Sequence, residues 1–299
     1  MIIPQLFDKL TFTDFDIVMD KIIVSSHNFA QRVVSGCTLV VESLSLPFSD
    51  YKEMAQVEDY AHIAGLEDEM LHLPDPFLVP EDSDVPTAVV QELEARLEVF
   101  DLSETAECIM REFIGPVLVG AIRLLGPGSG IKIRSEHKVV GKRGRGPLDY
   151  DLLFKLFHVI VCEAKNGKDV VDGIPQNTAQ LVACREVSLQ DQRKKRKRDD
   201  QCELDAALEQ IPSFGIVSTG RSWLFLKYYK DVEEDMWKLE RSVEYHLPLA
   251  ARIEDRTGLR VAVVNLLQVV AGVLHAQREE VLAFEARMSS KRSRTTSTA

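Results

Sequence analysis

Cysteine is too scarce and too scattered in this chain to organise it. The five cysteines, Cys37, Cys108, Cys162, Cys184 and Cys202, are spread over 299 residues. None has CxxC or CxxH spacing, and an odd number cannot pair off completely. This excludes a disulfide framework and points to a reducing compartment. The histidines (His27, His62, His72, His137, His158, His246 and His275) show neither HExxH nor paired spacing, so no metal site is expected among them. Positive charge is in deficit, with 36 Lys and Arg against 47 Asp and Glu and a net charge of −11. Binding of nucleic acid by bulk attraction is therefore excluded, and a local basic surface would be needed. The longest apolar run, Val261 to Ala276, is broken by Asn265, Gln268 and His275 and falls short of the ~20 residues of a membrane span. Asp8, Asp14, Asp16 and Asp20 interrupt the first twenty residues, and no basic start precedes an apolar run, so no ordinary signal peptide is read there. Neither Gly126 to Lys132 nor Gly141 to Gly146 has the Lys-Ser/Thr pair opening a helix that a Walker loop requires, which excludes nucleotide hydrolysis.

What remains is ample for a core, since 45% of the residues are hydrophobic. Charge is segregated: Glu42 to Glu107 is acidic apart from Lys52 and Arg96, whereas Lys132, Arg134, Lys138, Lys142, Arg143 and Arg145 face Glu136 alone. Residues 1–85 read as an acidic, mostly helical accessory segment. Helices are expected around Asp14 to Val34 and Asp50 to Leu73, and a proline-rich linker over Asp75 to Asp84. Residues 86–288 read as the main domain and 289–299 as a disordered basic and Ser/Thr tail. Within the domain the pattern predicts helices over Pro86 to Phe100, from Ser103 to about Leu125, and over Arg260 to Met288. Strands are expected over Ile131 to Val140, Leu148 to Phe154, His158 to Glu163, Phe214 to Thr219 and Ser222 to Tyr229.

The centre of the domain is the hairpin around Leu156, whose connection is too short for anything but antiparallel pairing. Side chains alternate along a strand, so Glu163 and Lys165 share a face, and a hairpin centred on Leu156 sets Asp149 opposite Glu163. Two carboxylates side by side repel and are costly to bury unless a cation joins them. Mg²⁺ (or Mn²⁺), which takes one or two carboxylates together with water and phosphate oxygens, is the natural partner. Lys165 would then stabilise a phosphate or position a water. Asp151 has the same parity as Asp149 and competes with it. The loop Gly141 to Gly146 carries Lys142, Arg143 and Arg145 towards this place, which suits a phosphate backbone such as that of DNA. Arg193, Lys194, Lys195, Arg196, Lys197 and Arg198 form an unbroken cationic run that matches a nuclear import signal and so implies an import receptor and a nuclear location.

Asp149 with Glu163-Ala164-Lys165 resembles the PD-(D/E)xK signature of the restriction-endonuclease-like nuclease superfamily. The words Gly144-Arg145-Gly146-Pro147-Leu148-Asp149-Tyr150, Gly173-Ile174-Pro175-Gln176-Asn177 and Gly215-Ile216-Val217-Ser218-Thr219-Gly220 followed by Trp223 are similar to the nuclease-type domain of crinkler-like effectors, over roughly Ser103 to His275. The resemblance implies an α/β fold with a restriction-endonuclease-like mixed β-sheet of about five strands flanked by helices, and Mg²⁺-dependent cleavage of DNA phosphodiesters in a host nucleus. It assigns Asp149 and Glu163 to the metal, Lys165 to catalysis, Gln176 and Gln180 to a polar helix beside the metal, and Glu104 to a further acid on the preceding helix, with Glu112 as the alternative. Those effectors usually carry an N-terminal secretion header, from which this chain departs. The other reading is a nuclease-fold platform that binds DNA or protein without cleaving it.

Overall fold

The computed structural model of the chain describes residues 15–19, 22–24, 39–43, 45–67, 70–101, 106–166, 169–194, 201–249 and 256–296. It is a mixed α/β structure whose main sheet has eight strands. The first three strands, β1 (Phe15–Met19), β2 (Ile22–Val24) and β3 (Leu39–Ser43), form a separate antiparallel sheet in the order β2-β1-β3. The helix expected over Asp14 to Val34 is therefore replaced by a strand pair: Phe-Asp-Ile-Val-Met and Ile-Ile-Val are rich in β-branched residues, which suit a pleated surface better than a helix. The helix expected over Asp50 to Leu73 is a single short one, α1 (Met54–Ala61), closed by His62 in the left-handed region. Strand β4 (Leu46–Pro47) pairs in parallel with Gly144 and Arg145, and Phe48, Tyr51, Val57 and Tyr60 are buried with residues of the main sheet. This part of the expected accessory segment is thus built into the main core.

The main sheet runs β10 (Met236–Arg241), β9 (Ser222–Asp231), β8 (Ser213–Ser218), β7 (Phe157–Ala164), β6 (Gly144–Phe154), β4, with β5 (Ile131–Val140) on β6 and β11 (Tyr245–His246) on β9. The five expected strands are all present. The count rises to eight because three short or charged segments pair at its margins: β4 and β11 have two residues each, and β10 (MWKLER) mixes Met236, Trp237 and Leu239 with three charged residues. Strands β7 and β8 are parallel, so the chain crosses over between them through α4 (Ile174–Lys194) and α5 (Gln201–Glu209).

Period-two alternation sends apolar residues to both faces. Ile160, Cys162 and Ala164 of β7, with Ile216 and Phe225, meet α2 (Val85–Val99), α3 (Glu107–Leu124) and α6 (Arg256–Thr296). Val161, with Val217, Leu224 and Leu226, meets α1 and α4 on the other face. A sheet covered on both sides needs near-continuous apolar strands, which β7 to β9 supply. Trp223, Phe225 and Tyr228 are all buried, so these aromatics are core and offer no stacking surface for bases. Helix α6 is long and apolar enough over Thr257–Ser289 to cross a membrane by length and composition. Here Leu259, Val263, Leu267, Val270 and Leu274 are fully buried in the core. The helix continues to Thr296, into the expected tail.

Candidate active site

The site lies at the carboxyl end of β7, on the face covered by α4. Glu163 occupies the next position of that face after Val161, so a buried carboxylate stands where the strand would otherwise continue its apolar row. The hairpin turn is two residues, Lys155 and Leu156, with Phe154 paired to Phe157. Continued evenly, that pairing would set Asp149 opposite Cys162 and turn its side chain away from Glu163. The register slips by one residue at Val159, after which Tyr150 pairs with Cys162 and Asp149 falls opposite Glu163. The two acids meet because of this bulge.

Asp149 accepts the backbone N–H of Ala164 at 2.7 Å. Lys165 donates Nζ to Glu163 Oε1 at 2.8 Å and to Gln176 Oε1 at 2.7 Å, and Gln180 donates Nε2 to Glu163 Oε2 at 2.6 Å. The amide of Gln180 is oriented by Asn177, whose Nδ2 donates to Gln180 Oε1 at 3.2 Å and to the carbonyl of Val161 at 3.1 Å. Asn177, to which the sequence reading assigns no role of its own, lies between the two glutamines and joins the site. Gly173 is needed for close approach: a Cβ there would lie 3.1 Å from the Lys165 stem and overlap Val217.

A third acid completes the cluster. Glu107, Asp149 and Glu163 each offer a carboxylate oxygen within 4.8 Å of the other two. Glu107 opens α3, and Arg111, one turn on, lies 3.3 Å from Asp149 Oδ1 and pairs with Glu136. Glu104, the expected helix acid, lies outside the described residues. Glu112 points elsewhere, 3.7 Å from Arg96. Glu107, an acid on the first turn of the helix before the sheet, joins the cluster where the resemblance implies Glu104 or Glu112.

The electrostatics are those of acids held short of positive charge. Burial, reinforced by the charge on Asp149, pushes the Glu163 carboxyl up to about 7 against the opposing pull of Lys165 and Gln180. Burial also raises Asp149, offset in part by the Ala164 N–H and by Arg111. Three hard oxygen donors fit Mg²⁺ or Mn²⁺ far better than a soft ion.

The basic loop differs from expectation. Gly141 and Gly144 are closely packed, because a Cβ on either would collide with Ala183, Glu186 and Tyr60 or with Phe48, so this stretch lies against α1 and α4. Arg143 pairs with Asp59, and the Lys142 backbone N–H donates to Glu186 Oε2 at 2.7 Å. Of the import run, Arg193 pairs with Asp205 and Lys194 lies 2.9 Å from Asp191. Lys195 to Arg198 lie outside the described residues.

Asp151, the competitor for the metal, is fully buried and engaged elsewhere, with His137 Nδ1 at 2.6 Å from Oδ2 and His158 Nδ1 at 2.8 Å from Oδ1. The expectation that the histidines form no metal-competent group is overturned, since these three residues bring ligand atoms within 4.8 Å of one another. Spacing could not reveal it. By regular alternation His137 would share a face with its partner Leu148, away from Asp151. Glu136, with φ at 52°, breaks the alternation just before it.

No family model matches the sequence, and no curated protein and no solved structure matches it either.

Proposed function

We propose that the protein is a metal-dependent nuclease of restriction-endonuclease-like fold that cleaves DNA phosphodiesters. The observation that carries this reading is the convergence of Glu107, Asp149 and Glu163 beside Lys165 at the end of β7. Glu107, Asp149 and Glu163 would hold Mg²⁺ or Mn²⁺, which when bound supplies Lewis-acid polarisation of a phosphoryl oxygen. Lys165, held beside the acids by Glu163 Oε1 and Gln176 Oε1, would carry its charge to the phosphate or hold the attacking water. Gln180, oriented by Asn177, keeps Glu163 in place by donating to Oε2, so that Glu163 would be positioned to hold the metal. Incubating the full chain with supercoiled plasmid, with Mg²⁺ and with a chelator, tests the reading: nicking only in the metal arm supports it, and no cleavage in either arm favours the non-cleaving platform.

DNA is the proposed substrate because phosphate is the group that fits a metal beside basic side chains. Arg145 is exposed, whereas Arg143 is engaged by Asp59. Arg145→Ala should therefore weaken DNA binding and lower the slope of log K against log salt by about 0.9, with Arg143→Ala the weaker of the two. Equal slopes in all three proteins, measured by anisotropy across a salt series, would remove this loop from the interface. The cationic run Arg193 to Arg198 adds a nuclear destination, reached through an import receptor. Alanine at Lys194 to Lys197 in a fluorescent fusion should leave the protein outside the nucleus, and an unchanged nuclear signal would refute that role.

A further inference from the structure

We propose that His137, Asp151 and His158 form a second metal site, distinct from the carboxylate cluster, that takes Zn²⁺ and ties together the three strands β5, β6 and β7. The two clusters share no residue. They also differ in chemistry: two imidazoles and one carboxylate favour a borderline ion such as Zn²⁺, whereas three carboxylates favour a hard one.

The geometry is close to a coordination sphere. Both imidazoles point Nδ1 at the same carboxylate, one at each oxygen, at 2.6 and 2.8 Å. Moving each donor outward by roughly half an ångström opens room for metal–ligand bonds of about 2.0–2.2 Å. The carboxylate of Asp151 is fully buried, and no lysine or arginine lies against it among the described residues. Two departures from regular strand geometry flank it. Glu136 adopts a left-handed φ of 52° immediately before His137, and the Val159 bulge immediately follows His158. Left-handed backbone at a residue with a side chain is strained, and here it brings an imidazole onto the carboxylate.

The outer partners are also in place. His158 also interacts with the buried Cys184 thiol, which would serve as an outer partner of a zinc-bound imidazole. Among the described residues His137 Nε2 meets the exposed Arg134 at 3.5 Å, and that side chain can turn outward. His137 is 28% exposed and provides the way in, while His158 and Asp151 close the interior side.

The test uses the full chain, stripped with a chelator, with Asp149→Asn to disable the carboxylate cluster. Titration with Zn²⁺ should show one equivalent bound, with a melting temperature that rises with zinc. Adding His137→Ala should weaken zinc binding by at least about a hundredfold, since even an outer partner of a metal is worth 10- to 100-fold. Co²⁺ in the Asp149→Asn protein should give the visible absorption of a nitrogen-ligated ion of low coordination number. Failure of Asp149→Asn to bind zinc, or zinc binding that His137→Ala leaves unchanged, overturns the site. If the double variant does not fold, the Co²⁺ spectrum of the single variant decides, and a pale octahedral spectrum counts against the proposal. Nuclease activity plays no part in these readouts, so the outcome is independent of the reading above.

Discussion

Glu163→Gln is expected to abolish Mg²⁺-dependent nicking, by at least about a hundredfold, while making the metal-free protein more stable above pH 7. The substitution keeps the volume of a buried side chain and removes its charge. The Glu163 carboxyl is pushed up to about 7 in the folded chain, first by burial and then by Asp149, against about 4.3 when unfolded. An acid with a raised folded pKa contributes stability that is complete below the unfolded value and lost as pH rises through the folded one. The chelated wild type should therefore lose stability between about pH 4 and pH 7, on the order of 3–4 kcal/mol, and the glutamine variant should not. Mg²⁺ reverses the order, because it stabilises only the protein that still has the ligand. Thermal melts at pH 8 with Mg²⁺ and with chelator, run beside the plasmid assay, check both halves. Glu107→Gln should fall between wild type and Glu163→Gln in rate. Nicking that persists undiminished in Glu163→Gln would mean a different site or a contaminant.

Asp151→Ala should cost about 3–5 kcal/mol of stability in chelator, the range for breaking a buried charged pair by removing one member. It strips both imidazoles of their common acceptor and leaves a void in the central strand of the β5-β6-β7 group. The loss should depend on pH. Burial opposes the charged form of His158, but Cys184 and Asp151 outweigh it, and the imidazole is pushed up to about 10. A base with a raised folded pKa gives stability that is full below its unfolded value, about 6.5, and lost as pH rises through about 10. Wild type should thus decline over that window, and the alanine variant should be flatter. Denaturant titrations at pH 6 and pH 9 measure it. A penalty below about 1 kcal/mol at pH 6 would show that the carboxylate is not the anchor of this cluster.

The meeting of Asp149, Glu163, Lys165, Gln176 and Gln180 was legible because all five lie in one hairpin and the helix that follows it, where parity and helical spacing decide who meets whom. Even there the reasoning was incomplete. A turn centred on Leu156 gives the observed opposition of Asp149 and Glu163, yet the real turn is one residue tighter and the Val159 bulge restores the count. A bulge within Val-Ile-Val has no composition of its own to announce it. Contacts between separate elements were out of reach. Glu107 joins from α3, His137 turns at an unmarked kink, and Asp59, Glu186 and Asp205 draw off cations that looked free in the sequence. Edge strands were missed because strands exposed on one side carry polar residues that blur their alternation.

The division of the acidic cluster between a hairpin and a distant helix also bears on the order in which the chain becomes competent. Asp149 and Glu163 belong to one short segment, whose ends meet at little loop-closure cost, so their pairing belongs with early, local folding. Glu107 arrives only when α3 docks on the sheet. If the cluster holds a metal as proposed, its affinity would gauge that docking: whatever draws α3 away from β6 would remove one ligand of three, and a bound ion would in turn hold α3 down.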